Sequence, residues 1–284
     1  MPTVFIAGAS GYLGRHLCRE YHRRGWNVRA LVRNTRKAQG IEADGLFEAE
    51  ATQPQTLIGL MDGCDLVVSA LGITRQADGL GYWEVDYQAN LNLLREASRA
   101  GVPHFAYIHV LNADKMAHVP LVAAKSAFVT RLREADIQST VIAPSGYFSD
   151  MGEILAMARS GHVWLFGNGA LRLNPIHGAD LAAATADAVA EGRAWLDIGG
   201  PDIFSQKELA QAAFSALGLR AHIHFLPDWL RRAAIALLPH VAPHRLRGPA
   251  LFFLTALGLD MIGEPSGVHR LKTHFAMLAG RRSR

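Results

Sequence analysis

The stretch T-V-F-I-A-G-A-S-G-Y-L-G-R, starting at residue 3, limits what the rest of the chain can become. Residues 3–8 read as a strand, and Tyr12 to Arg24 as a helix with Leu13, Leu17 and Tyr21 on one face and Gly25 as its stop. Between them Gly8, Gly11 and Gly14 form G-x-x-G-x-x-G. A tight turn from strand to helix needs a residue without Cβ, and it leaves the helix N–H groups and the positive end of the dipole free for an anion. Placed between strand and helix, this spacing predicts a pyrophosphate cradle built from Gly8, Ser10, Gly11, Tyr12, Leu13 and Gly14.

The same rhythm continues. "NVRALVR" (27–33), "DLVVSALG" (65–72), "FAYIHV" (105–110), "STVIAP" (139–144) and "AWLDIGG" (194–200) read as strands, with a helix around Asn90 to Ala100 closed by Gly101 and Pro103. Strand and helix in alternation imply parallel strands joined by right-handed crossovers, an α/β doubly wound sheet of Rossmann type. Residues 1–144 are expected to form the dinucleotide-binding core, completed by 176–200. Residues 145–175 and 201–284 lose the strand alternation and read as a smaller C-terminal cap on the substrate side, since ligands of open α/β sheets bind at the carboxyl ends of the strands.

Composition narrows the classes further. Half of the 284 residues are hydrophobic and 19% are charged, enough for a sizeable core and against disorder. Cys18 and Cys64 form no CxxC, so neither a disulfide framework nor structural zinc is expected. The thirteen histidines are scattered; His240 and His244 have i,i+4 spacing, but Pro239 and Pro243 argue against a regular helix there, and no metal site is expected. No basic flank precedes the first strand and no run of eighteen apolar residues occurs, which makes the cytoplasm the expected compartment. Charge is uneven: residues 220–284 carry +7 and the first 219 carry −3. The basic region leaves two uses open, a cap over a hydrophobic substrate and a surface for peripheral contact with a membrane or a protein. Its prolines weigh against a long amphipathic helix. No recognition helix or stacking-aromatic pattern supports direct contact with nucleic acid.

Cofactor choice is read at the end of the second strand, where a carboxylate would bond the ribose hydroxyls of NAD. Here the strand runs into Arg33, Arg36 and Lys37, with no acid nearby in sequence. A guanidinium forks onto a phosphate and never loses its charge, so NADP (NADPH) is the expected cofactor, with Arg33 and Lys37 as its ligands. Glu50, placed at the end of the third strand, is a candidate acceptor for the adenine amino group. Ala70, Leu71 and Gly72, after Ser69, let a cofactor lie against the backbone.

With these motifs, "VRALVR", "DGCDLVVSALG", "VDYQANLNLLREA", "NPIHGADLA" and "GGPDIFSQKELAQAAFSALG", the chain resembles the atypical branch of the short-chain dehydrogenase/reductase superfamily, which includes the NmrA-like and isoflavone-reductase-like proteins. Family reductases with the full catalytic set carry a serine after the fifth strand and then Tyr-x-x-x-Lys. By that resemblance His109 stands at the serine position, Leu121 at the tyrosine position, and only Lys125 remains. The isoflavone-reductase-like group similarly lacks the tyrosine and keeps a lysine as its acid or base. Lys125 is therefore open to two roles, general acid/base or ribose ligand, and His109 and Tyr147 are further candidates for proton transfer. Asp180 is expected to cap the helix that follows it, with Asn174 and Pro175 shaping the approach; none of these, nor His177, is expected to be catalytic. The implied function is an NADPH-dependent reductase of a hydrophobic or aromatic small molecule. The alternative is a non-catalytic NADP-binding redox sensor, regulator or assembly factor, which the missing tyrosine favours.

Overall fold

The computed structural model describes residues 1–73 and 79–280, apart from the side chains of Lys37, His244 and Arg245. Two compact units are present, one of Met1–Ala143 with Leu181–Leu196, the other of Pro144–Asp180 with the chain from Asp197 onward.

The first unit opens with β1 (Thr3–Ala7), α1 (Tyr12–Arg23), β2 (Asn27–Val32), β3 (Gly45–Glu48) and β4 (Leu66–Ser69). A π-helical stretch, Trp83–Ala89, then runs without a break into α2 (Asn90–Arg99), followed by β5 (His104–Ile108), α3 (Pro120–Glu134) and β6 (Gln138–Pro144). Every residue of β1, β4 and β5 is buried, the signature of parallel strands covered on both faces. The parallel sheet has the order β12-β9-β6-β5-β4-β1-β2-β3, in which β9 is Trp195–Gly199 and β12 is Glu264–Pro265. From β1 the chain runs outward to β2 and β3, then returns to β4 on the other side of β1. That reversal opens a crevice at the carboxyl ends of β1 and β4. Phe5, Leu57, Met61, Phe105, Tyr107 and Phe128 fill the core beneath it.

The second unit holds α4 (Gly152–Arg159), β7 (Val163–Phe166), β8 (Arg172–Leu173), β10 (Phe204–Ser205), α6 (Gln206–Ala216), β11 (Ile223–Leu226), α7 (Asp228–Val241), α8 (His244–Ala256) and α9 (Leu271–Gly280); α5 (Gly178–Ala190) begins in it. Its own core gathers Phe148, Leu155, Leu165, Phe214 and Phe275. Where the sequence shows no clear strand alternation, the structure holds two ribbons, β7 with β11 in parallel and β8 with β10 antiparallel. Strands of two to four residues are too short to display a period of two in sequence.

Asp180, in the first turn of α5, also reaches a distant segment: its Oδ2 accepts the N–H groups of Val268 and His269 (3.1 and 2.9 Å), and Oδ1 lies 2.8 Å from His269 Nδ1. Asn174 is a fully buried clasp, donating to the carbonyls of Gly200 and Gly263 and accepting from the Gly263 N–H. Pro239 and Pro243 were set against one regular helix carrying His240 and His244; α7 runs through Pro239 to Val241, because a proline in the last turn forfeits a single bond to the carbonyl four residues back. The break falls at Ala242–Pro243, which leaves His240 and His244 on different helices.

Candidate functional site

At the β1–α1 turn, Gly8 adopts φ +80°, and a Cβ there would stand 2.8 Å from the Ala70 carbonyl oxygen at the end of β4. A Cβ on Gly14 would collide with the Gly8 carbonyl, so this glycine seats the helix on the loop. Gly11 donates to the Gly8 carbonyl at 3.0 Å, and Arg15 in turn donates to the Gly11 carbonyl at 3.1 Å. No side chain caps α1 and no acid occupies its first turn. The positive end of the helix is thus left to an external anion.

Over this turn lies a cleft of ≈ 220 Å³. Gly8, Ser10 and Gly11 form its floor, Arg33 and Glu50 stand along the β2 and β3 side, and Ala70, Leu71 and Gly72 form the β4 side. The side chain of Leu13 is buried and that of Tyr12, partly exposed, packs edge-on against His16; the first-turn N–H groups of Tyr12, Leu13 and Gly14 have no helical acceptor. Glycines at Gly8, Gly11 and Gly72 along the cleft and an uncapped helix dipole fit a dinucleotide.

Arg33 and Arg36 are both exposed, and the Lys37 side chain lies outside the described residues. An acid does approach this basic loop, contrary to the reading of the linear sequence. Glu48, paired with Val32 across β2 and β3, accepts the N–H and hydroxyl of Thr35 at 2.9 Å each. These bonds, with Arg36 nearby, hold its carboxyl below the usual range. Glu48 therefore shapes the loop that presents Arg33. Glu50 stands two residues beyond β3, which ends at Glu48, and its Oε1 accepts from the Thr52 hydroxyl at 3.2 Å.

Lys125 sits on α3, one turn beyond the buried Leu121. Its Nζ lies 3.3 Å from Asp86 Oδ1, donates to the Ile108 carbonyl at 3.2 Å and to the Tyr107 hydroxyl at 3.4 Å, and stands over the Tyr107 ring. Asp86 has no exposed surface and comes from the π-helical stretch; its Oδ2 accepts the Ile73 N–H at 3.3 Å. Burial pushes this carboxyl above the usual range, against the pull of the Lys125 ammonium and the Ile73 N–H. Gly72 lies between the pair and the cleft: a Cβ on it would be 2.6 Å from Asp86 Oδ1 and 3.0 Å from Lys125 Nζ. Asn90, also fully buried, accepts the Ser69 hydroxyl at 2.5 Å and donates to the carbonyls of Val85 and Asp86, tying the end of β4 to the helix that carries the acid. Asp86, Asn90 and Tyr107 received no role from the sequence. The available signal was the second of two acids, Glu84 and Asp86, within "WEVDYQANLNLL", whose π-helical turn no periodicity announces.

His109 follows β5, is buried, and presents its ring edge to Trp195 at 5.8 Å between centroids. Its Nδ1 has no hydrogen-bond partner among the described residues. Burial, with Lys125 and Arg133 nearby, pushes its pKa down to about 3, so the ring is neutral at pH 7. Tyr147 belongs to the second unit, half-buried, with its backbone bridged to Ile176.

A family model described as NAD(P)H-binding matches residues 8–191. The photosystem II assembly factor Ycf39 of Cyanophora paradoxa is 28% identical over 151 residues, 52% of this chain and 47% of that protein. The chloroplastic divinyl chlorophyllide a 8-vinyl-reductase of Arabidopsis thaliana is 26% identical over 269 residues, 84% of this chain and 63% of that one. The chain thus matches about half of the one relative and under two thirds of the other. Among solved structures, an NADPH-dependent quinone oxidoreductase from Escherichia coli in complex with NADPH superposes with a TM-score of 0.76 at 20% identity, over 97% of this chain and 99% of that one, a likeness of fold. The family match takes in the glycine loop, the cleft and Lys125, and the chain belongs to the NAD(P)H-binding family of the atypical short-chain dehydrogenase/reductase superfamily.

Proposed function

We propose that the protein is an NADPH-dependent reductase of a hydrophobic or aromatic small molecule, with Lys125 as the residue that handles the substrate proton. The observation that carries this reading is the burial of the Lys125 ammonium beside Asp86, against Gly72, which lines the cofactor cleft. NADPH, when bound, supplies hydride from its nicotinamide. The glycine loop and the α1 N–H groups would hold its pyrophosphate, and Arg33, with Lys37, its 2′-phosphate. Asp86 compensates the cost of keeping a positive charge at Nζ in a dry site, and Tyr107 fixes its position from the other side. His109, neutral and walled in by Trp195, is the weaker proton donor of the two. Tyr147 is retained as a candidate substrate-side hydroxyl. The 8-vinyl-reductase and quinone oxidoreductase among the similar proteins carry reductase names, in keeping with this class of chemistry.

A second reading is favoured by one specific observation. Nζ is already engaged by Asp86, Ile108 and Tyr107, and Leu121 one turn earlier carries no proton. A protein that binds NADP(H) and serves assembly, as the name of Ycf39 indicates for that relative, would show the same cleft without turnover. NADPH oxidation followed by absorbance, against a panel of quinones and conjugated enones, separates the two. The reductase reading expects turnover that Lys125→Met lowers at least a hundredfold while NADPH affinity changes less than threefold, about 0.65 kcal/mol. Tight NADPH binding with no turnover across the panel would favour the assembly reading, and turnover indifferent to Lys125→Met would remove this residue from the chemistry.

A further inference from the structure

Helix α7 buries none of its fourteen residues, although nine of them are Ala, Leu, Ile, Val or Trp. Large apolar side chains stand on its solvent-facing side. Trp229, Leu237 and Val241 are 64%, 56% and 73% exposed, and at about 100° per residue they fall within an arc of roughly 140° that also holds the exposed Ala236 and the exposed His240. In α8 and the residue just beyond it, Leu246, Phe253 and Leu257 stand at i, i+7 and i+11, within about 40° of one another, and all three are exposed. Two adjacent helices of one unit therefore both turn an apolar stripe outward, where a water-facing helix would carry polar residues.

The hairpin is a fixed piece. Arg231 donates to the Leu254 carbonyl at 2.9 Å and to Asp228 Oδ1 at 2.7 Å, and its guanidinium lies against Gly258, where a Cβ would collide with it. The charge of this segment is net positive. Residues 228–256 contain four arginines and the single acid Asp228, which is already bound to Arg231 and Arg232. Arg232, 77% exposed, flanks the stripe about 60° from Trp229. Among the described residues no helix is long and apolar enough to cross a bilayer. Apolar side chains outward, a tryptophan among them, on a hairpin of net positive charge whose single acid is already paired, match the headgroup layer of an anionic membrane. A second copy of the same face would oppose arginines to arginines.

We propose that the α7–α8 hairpin docks the protein on anionic lipid surfaces, lying in the headgroup layer with Trp229, Leu237, Val241, Leu246 and Phe253 inserted and Arg232 at the phosphates. This rests on the hairpin alone and holds for either reading of the cofactor site. The test is co-sedimentation of the full chain with phosphatidylcholine vesicles made with and without phosphatidylglycerol, at low and high salt, for the wild type and for Leu237→Glu and Val241→Glu. The expected result is binding to the anionic vesicles that weakens in salt, with at least tenfold loss in each variant while NADPH affinity, read by fluorescence as the check of folding, is unchanged. Absence of binding to anionic vesicles, equal binding to both vesicle types, or binding untouched by both substitutions would overturn the proposal. A dimer in sedimentation velocity that Leu237→Glu dissociates would assign the face to a second copy instead and would equally overturn it.

Discussion

Replacing Lys125 by methionine keeps the length of the stem and removes the charge, leaving Asp86 alone in a site with no exposed surface. An isolated carboxylate there takes up a proton rather than staying charged, because burial already pushes its pKa upward in the presence of the lysine. The cost of the variant is then bounded by the work of protonating an ordinary aspartate at the ambient pH. With an unfolded pKa of about 3.9 and about 1.36 kcal/mol per unit, that ceiling is about 4 kcal/mol at pH 7 and about 1.5 kcal/mol at pH 5. The sign follows from the raised folded-state pKa: the variant's folded state binds a proton that its unfolded state has released, so the deficit grows as pH rises and shrinks as pH falls toward the ordinary carboxylate value. Guanidinium unfolding of both proteins, followed by circular dichroism at pH 5 and pH 7, reads the difference. The expected loss narrows by about 2.7 kcal/mol between the two pH values. A deficit of the same size at both would mean that Asp86 stays ionised without Lys125, and that the pair is not the dry ion pair described.

Gly8→Ala places a Cβ 2.8 Å from the Ala70 carbonyl at φ +80°, and should weaken NADPH binding at least tenfold and destabilise the protein by more than the same change at Gly63, where φ is +70° but nothing lies within 4 Å. Left-handed strain alone costs about 1–2 kcal/mol, so equal losses at the two positions in unfolding titrations would refute the close approach. His109, with its pKa pushed down to about 3, contributes stability that is complete above its unfolded pKa of about 6.5 and is lost as pH falls between those values. Between pH 7 and pH 4.5 the wild type should lose about 2.7 kcal/mol that a His109→Phe variant keeps, and parallel acid limbs in the two unfolding profiles would contradict it.

The alternation of apolar runs and helical stretches was enough to read the sheet and its glycine turn, because β1 and β4 are buried through their whole length and a buried strand has no polar face to confuse the pattern. Arg33 and Gly72 were legible for the same reason, since both stand at the end of a recognisable strand. Asp86 was not, because its role depends on a lysine thirty-nine residues later being brought within 3.3 Å, and nothing local distinguishes a buried acid from a solvated one on a helix. Glu48 was passed over because its partnership with Thr35 runs across two strands rather than along one. The reach of Asp180 and Asn174 was not legible, because each bonds a segment distant in sequence, Asp180 bonding Val268 and His269, and Asn174 bonding Gly200 and Gly263. The α7–α8 prolines misled, since Pro239 and Pro249 are both accommodated inside helices.

The central claim is that the cleft above the glycine loop takes NADPH and that Arg33 selects it. Fluorescence titration of the purified protein with NADPH and with NADH, repeated on Arg33→Ala, tests it most directly. The account predicts NADPH binding at least tenfold tighter than NADH, about 1.4 kcal/mol, and a gap that closes in the variant through loss of NADPH affinity alone. Equal affinities in the wild type would contradict the assignment of Arg33, and no binding of either dinucleotide would contradict the account as a whole.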